Sequence, residues 1–245
     1  MASKEFLESR GFFSLLTRKS EKKFPFHPFY TDFILDFLHH ICIPHSEFPE
    51  NKIFTIYYDT LDLRSYYENV NGDSLKSKLR IRWYGQKNIL SDSSIDAFVE
   101  VKVKKGFSVE KVRKQVRLRR PQVEEMSLFD RLWEDVLFPV LAEIGWSRNE
   151  RLFPVMLITY IRSRFLDPFA GSHIALDRNI VVEKVNKELL PSARPVRINT
   201  AVLEIKGGDI SRPIAGMLRK LSMRWDSFSK YVVGMDSCRR INEVL

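Results

Sequence analysis

The chain has 245 residues, enough for one large domain with a substantial core or for two small ones. Its 44% hydrophobic and 12% aromatic content excludes a disordered polymer. Forty Lys plus Arg against 31 Asp plus Glu leave +9, a balance that points to a polyanionic partner: nucleic acid, a phosphorylated small molecule or anionic lipid.

Two cysteines, Cys42 and Cys238, stand far apart, so there is no disulfide framework and a reducing compartment suits the chain. The longest uncharged apolar run, between Arg151 and Arg162, is far shorter than the ~20 residues that span a bilayer. Charges at Lys4, Glu5, Glu8 and Arg10 leave no apolar core for a signal peptide. A soluble, cytoplasmic protein is expected.

In chain order, residues 1–17 read as a lead-in whose Phe6, Leu7, Phe12, Phe13, Leu15 and Leu16 dock on the body. Residues 18–245 read as one domain, because no internal repeat, low-complexity segment or long linker divides them. Residues 18–24 open a first strand with Glu21 and Lys23 on one face. Residues 29–41 have helical spacing, with Phe29, Phe33, Phe37 and Ile41 in one stripe and Pro28 suited to the first turn. His39, His40, Cys42 and His45 then crowd together. A zinc site would need ligands from a second cluster, which does not follow, and Pro44 interrupts the spacing, so a helix end with partly exposed imidazoles is expected.

Residues 52–60 are rich in β-branched and aromatic side chains and predict a strand. A helical turn at 65–70 and a tight turn at Asn71-Gly72-Asp73 follow. In Ser77-Lys78-Leu79-Arg80-Ile81-Arg82-Trp83-Tyr84, the two-residue period sends Lys78, Arg80 and Arg82 one way and Leu79, Ile81 and Trp83 the other. Neighbouring cations roughly 6 Å apart repel by about 3 kcal/mol per pair before screening. Such a row needs open solvent or an anion, and it recurs. Residues 97–104 set Glu100, Lys102 and Lys104 against Val99, Val101 and Val103. Residues 112–120 set Arg113, Gln115, Arg117 and Arg119 opposite Lys114, Val116 and Leu118.

Ser127 caps a predicted helix running to Ile144, with Asp130 in its first turn, Gly145 past its end and a kink at Pro139. Strand 157–165 places Tyr160, Arg162 and Arg164 on one face. Strand 173–181 does the same for His173, Asp177 and Asn179, and strand 201–206 for Glu204 and Lys206, ending at Gly207-Gly208. Helices are predicted at 213–221 and after Phe228.

A solvated sheet face usually mixes Lys, Glu, Thr and Ser, whereas cations dominate here on at least five segments. Closing the sheet with these faces inward gives an α+β fold: a closed antiparallel β-barrel of about eight strands forming a cationic tunnel, with helices packed on the outside. Arg forks and mobile Lys charges suit a linear polyanion of repeated phosphates. Glu100 and Glu204, the acidic residues kept among the cations, are natural ligands for a hard divalent ion that bridges phosphate oxygens.

Tyr57-Tyr58-Asp59-Thr60, Lys78-Leu79-Arg80-Ile81-Arg82-Trp83-Tyr84-Gly85, Val99-Glu100-Val101-Lys102, Leu203-Glu204-Ile205-Lys206 and Ser227-Phe228-Ser229-Lys230-Tyr231 occur in this order. Together, over roughly residues 18–235, they resemble the catalytic domain of the vacuolar transporter chaperone proteins, the polyphosphate polymerase branch of the triphosphate tunnel metalloenzymes. The resemblance implies that Lys23, Arg80, Arg82, Lys102 and Arg162 line the tunnel and hold phosphates, with Lys230 reaching in from the last helix. Arg113 joins them, with Lys114 and Arg117 as competing assignments, and Lys78, Arg164, Lys206 and Ser229 complete the substrate-binding set. Glu204, with Glu100, would hold Mn²⁺ or Mg²⁺. His173 stands where the family has an Arg, which removes a permanent charge and a bidentate donor. Arg164 or Arg178 would have to compensate, although strand parity sends Arg178 outward. The family's membrane-anchoring and regulatory additions are missing, so a free-standing domain is expected.

The implied activity is transfer of the γ-phosphate of ATP to pyrophosphate or a polyphosphate chain. The same tunnel could instead hydrolyse tripolyphosphate or a nucleoside triphosphate, or simply bind a polyanion such as polyphosphate or RNA. Single-stranded nucleic acid calls for aromatic side chains interleaved with the cations, and the cationic faces carry Tyr160 and little else aromatic, so nucleic acid is not expected. A glycine-rich phosphate-binding loop is also missing from the sequence.

Overall fold

The computed structural model describes residues 21–85, 94–106, 108–119, 127–128, 132–143, 146 and 151–240. The expected lead-in, the opening of the first strand at 18–20, and Asp130, Ile144 and Gly145 lie outside them.

Eight strands form the body: β1 (Glu21–Phe26), β3 (Glu50–Asp59), β4 (Leu75–Tyr84), β5 (Ser94–Lys105), β6 (Ser108–Arg119), β7 (Phe153–Leu166), β8 (His173–Val185) and β10 (Ala201–Lys206). They pair antiparallel in the order β1-β10-β8-β7-β3-β4-β5-β6. Two-residue strands β2 (Ile43–Pro44) and β9 (Val196–Arg197) add to β7 and β8. The five described helices are α1 (Thr31–Ile41), α2 (Arg64–Val70), α3 (Leu132–Glu143), α4 (Arg212–Lys220) and α5 (Lys230–Arg240). None of them is long and apolar enough to cross a membrane.

Two features depart from a closed barrel with all its helices outside. Among the described residues the ladder runs from β1 to β6 and stops, so no described backbone hydrogen bond closes the ring. β1, in its described residues, includes Pro25 without an N–H, and β6 carries charges along its length; both are devices that leave an edge unpaired. Side chains cross the gap instead, as Lys102 of β5 reaches Glu21 of β1 at 3.9 Å.

The second departure concerns α5. On the convex side, Leu79, Ile81, Trp83, Val99 and Val101 pack under Trp133, Leu137 and Val140 of α3. Phe24, Leu176, Leu203 and Ile205 pack under Ile34 and Leu38 of α1 and Ile214, Met217 and Leu218 of α4. On the concave side, Tyr231, Met235 and Cys238 of α5 fill one end of the trough against Ile53, Met156, Ile158 and Val182. A side chain at Gly234 would meet Ile158 at 3.0 Å and Met156 at 3.1 Å, so any larger residue would have to push those side chains aside for the helix to lie this deep. Asp59, fully buried, ties the plug to the sheet: it accepts from the backbone of Thr60, Ser65 and Tyr66 at the start of α2, and from Tyr231 Oη at 2.7 Å. Burial pushes its carboxyl upward, opposed by those four donors.

The buried stripe of α1 is Thr31, Ile34 and Leu38, one step round from the phenylalanine stripe read in the sequence; Phe29 is 80% and Phe33 48% exposed. A 3₁₀ turn over Pro28–Tyr30 rotates the helix that follows. Around its end, His39 packs edge-on to Phe165, His40 turns back to Asp36 and His45 lies near Phe48. The carbonyl of Ser127 accepts from Trp133 Nε1 at 3.1 Å, and the residues its side chain was expected to cap lie outside the described ones.

Candidate functional site

The end of the trough that α5 leaves open carries the cations. On β4, β5 and β6 the register aligns Arg80 with Glu100 and Arg113, and Lys78 with Lys102 and Lys111. Opposite residues in a ladder share a face, so one wall holds all six. Its centre is Glu100, only 3% exposed. Oε2 accepts from Arg80 Nε at 2.7 Å and lies 2.6 Å from Arg80 Nη2 and 3.8 Å from Arg82. Oε1 has Lys111 at 3.3 Å and Arg113 at 3.5 Å. Burial alone would raise this carboxyl, but Arg80, Arg82 and Lys111 outweigh it and hold it well below the carboxylate range. Buried Arg82 also donates to Thr55 Oγ1 at 3.2 Å.

The other wall is built from β7, β8, β10, β1 and the first residues of α5. Asp177, fully buried, accepts both prongs of Arg162 at 2.5 and 2.6 Å and Lys230 Nζ at 2.5 Å. Glu204 lies 3.0 Å from Arg162, 3.1 Å from Lys206 and 3.6 Å from Lys230. Burial would lower the Lys230 ammonium, but Asp177 and Glu204 raise it above an ordinary lysine, so it stays charged. Glu21 extends the wall to Lys206 at 3.2 Å and Lys23 at 3.9 Å. Burial works against its charged form, yet Lys206 and Lys23 hold its pKa below the usual value.

Two lysines clip the start of α5: Lys78 donates to Ser229 Oγ at 2.9 Å and Lys23 to the Phe228 carbonyl at 3.0 Å. Lys78 is lowered to about 7, first by burial and then by Lys23, Lys102 and Arg80 around it. Half-buried among like charges, it has little to hold its proton.

Lys23, Lys78, Arg80, Arg82, Lys102, Arg113, Arg162, Lys206, Ser229, Lys230, Glu100 and Glu204 thus come together as the sequence led us to expect. Other residues do not. Lys114 lies on the convex face and pairs with Glu143 of α3, because one residue of register inverts a strand's faces. Arg117 sits farther along the ladder beside Asp96 at 3.7 Å, 74% exposed. Arg164 turns to the Phe48 carbonyl and to Asn51. His173 is exposed at the rim, in register with Lys206. Arg178 faces outward to Ser163 and Glu50, so it does not replace the missing Arg. Asn179 leaves its strand's alternation at a bulge, with φ of 51°.

Sequence reasoning missed Asp177 as the hub of the second wall, although it had the correct face. It also missed Lys111, one step outside the strand as drawn but of the same parity as Arg113. Tyr84 and Phe98, which continue the concave faces of β4 and β5, were passed over.

Among the described residues no three His, Cys, Asp or Glu side chains are grouped to hold a metal ion. Both oxygens of Glu100 lie against cations, as do those of Glu204. The donor set therefore fits a divalent ion only in company with phosphate, whose oxygens would supply the remaining ligands and take over the cations.

Over 87% of this chain and 96% of theirs, the fold is similar to a Bacillus halodurans protein provisionally named an adenylate cyclase, at 12% identity and a TM-score of 0.48. The PH1012 protein of Pyrococcus horikoshii matches over 87% of this chain and 99% of its own, at 11% identity and a TM-score of 0.41. A conserved hypothetical protein of Pyrococcus furiosus gives the same coverage and identity, with a TM-score of 0.40. No curated protein matches significantly. The VTC domain, in contrast, matches residues 18–239, nearly the whole length, and the chain belongs to the VTC domain family.

Proposed function

We propose that the protein is a polyphosphate polymerase-like phosphotransferase: the trough grips a linear phosphate chain, and the γ-phosphate of ATP passes to that chain. The observation that carries this reading is the pair of cation clusters facing one another, each fixed around a buried carboxylate and joined through Lys102 and Glu21. Charges held in place before substrate arrives need no reorganisation during the reaction, which is how positioning and electrostatic neutralisation lower a phosphoryl-transfer barrier.

Arg80, Arg82, Lys102 and Arg113 would hold phosphates along one wall, with Arg162, Lys206, Lys23 and Lys230 along the other. Lys230, buried and kept protonated, would neutralise the transferring group. Glu204 would hold Mn²⁺ or Mg²⁺ arriving with phosphate, and the ion would supply positive charge to offset that of the phosphates. A hydrolase must orient water with a base. Glu100, Asp177 and Glu204 are each committed to cations and held below their ordinary pKa, which makes them poor bases and favours transfer over hydrolysis. The same reading assigns the protein to the cytoplasm, where ATP is at hand.

ATP with Mn²⁺ should yield acid-stable chains longer than tripolyphosphate, with ADP released in step. Orthophosphate alone, at every enzyme and acceptor concentration, would make the protein a tunnel phosphatase. Neither product, with tripolyphosphate still bound, would make it a polyphosphate-binding module.

A further inference from the structure

Where the start of α1 meets the end of α4, four aromatic side chains stand in solvent. Phe29 and Phe33 are joined there by Tyr30, 40% exposed, and Trp225, 69% exposed. Tyr30 packs edge-on to Phe29, with centroids 5.4 Å apart at 84°. It also shares a cleft of about 340 Å³ with Phe26, His27, Met223, Arg224 and Asp226. Trp225 follows Arg224 in the chain, so the rings flank one cleft. A monomeric surface seldom gathers so many large rings unless a partner covers them. Charge is arranged around them with opposite signs on opposite sides. On α1 the helical period sets Asp32 and Asp36 on one flank of Phe33 and Phe37 on the other. Both aspartates are exposed, while Phe37 is partly buried in the core that also holds Leu221 and Met223. Asp36 has His40 at 3.7 Å, an exposed contact of little strength. Across the cleft, the end of α4 and the turn after it carry Arg219, Lys220 and Arg224, all exposed. The order across the surface is acid, rings, base.

That order selects the occupant. An anionic membrane would attract the bases and take up the rings, but it would repel Asp32 and Asp36. A second copy of the chain, turned about a twofold axis through the rings, meets no such conflict. The rotation brings the acidic flank of each copy to the basic flank of the other, while ring meets ring. Aromatic side chains and arginine are also the residues that protein interfaces concentrate at their centres. We propose that this face joins two copies of the chain in a twofold dimer. The rings form its centre, and Asp32 and Asp36 of each copy lie against Lys220 and Arg224 of the other. The dimer does not depend on the phosphate-binding reading, since neither charged flank belongs to the walls of the trough.

Sedimentation velocity of the full chain, at roughly micromolar to hundred-micromolar concentrations, should show a species of twice the chain mass. Trp225→Ser should weaken the association about thirtyfold or more, the effect of losing a central aromatic anchor. Charge reversal tests the twofold arrangement itself. One variant carries Asp32→Lys with Asp36→Lys, the other Lys220→Glu with Arg224→Glu. Each alone sets like charges against like and should be monomeric, with the circular dichroism of the unaltered protein. Mixed in equal amounts they should pair, because both contacts are again of opposite sign. A monomer at every concentration would overturn the proposal. So would a dimer that survives Trp225→Ser and both reversals, or reversed variants that stay monomeric when mixed. Pelleting with phosphatidylserine vesicles, by a chain that remains monomeric, would overturn it in favour of a membrane surface.

Discussion

Glu100 is the natural residue to perturb, because its charge rather than its shape holds one wall together. Glu100→Gln keeps the volume and one acceptor but leaves Arg80, Arg82, Lys111 and Arg113 facing one another with nothing between. Removing one partner from a buried pair costs about 3–5 kcal/mol, chiefly through the charge left behind. In a chain of this size each kcal/mol moves the melting temperature by roughly 2–4 °C, so the variant should melt about 6–20 °C lower. Tripolyphosphate at a hundred times its Kd should stabilise the unaltered protein by about 2.7 kcal/mol. In Glu100→Gln the gain should be larger, since the anion also relieves the new repulsion. Scanning calorimetry with and without tripolyphosphate checks both halves. The acid limb gives an internal control. A carboxyl whose folded pKa is depressed adds stability above its unfolded pKa of about 4.3, and loses it as pH falls toward the folded value. The variant should therefore show a shallower acid decline. An unchanged melting temperature, or an anion-induced rise no greater than in the unaltered protein, would refute the reasoning.

Lys78, lowered to about 7, holds fewer protons folded than unfolded up to an ordinary lysine's ~10.4, so its contribution to stability rises with pH across that window. A polyanion favours the charged form and draws a proton onto it. Tripolyphosphate affinity should thus fall between pH 6 and 9, and Lys78→Met should flatten the profile; a flat profile in the unaltered protein would contradict this. Gly234→Ala places a methyl 3.0 Å from Ile158 and 3.1 Å from Met156 and should cost about 1–3 kcal/mol in urea unfolding. Glu204→Gln should abolish metal-dependent turnover while retaining much of the tripolyphosphate-induced melting shift, and wild-type turnover would remove Glu204 from the metal's partners.

The period of two made the cationic wall readable. Once Arg80 and Arg82 share a face with Glu100 and Arg113, a ladder of any plausible register brings them together. A lone carboxylate has no period, so Asp177 looked like one polar residue on the correct face. Its partner Lys230 comes from a helix fifty residues on, and nothing local says which side of a sheet a helix will choose. Placing all helices outside was the default; α5 went inside because Gly234 allows it and Asp59 fastens it through Tyr231. The missing closure was equally invisible, because alternation fixes which way side chains point and says nothing about whether the last strand meets the first.

That unpaired seam gives the ring a joint of a different material. Seven ladders are held by peptide hydrogen bonds, which ionic strength barely touches, while the described crossing between β5 and β1 is a 3.9 Å charge pair between partly exposed side chains. Added salt should therefore loosen the molecule along one line. Amide exchange in β1 and β6 would quicken while β7 and β8 stay protected, and a long polymer could be laid in sideways rather than threaded end-first.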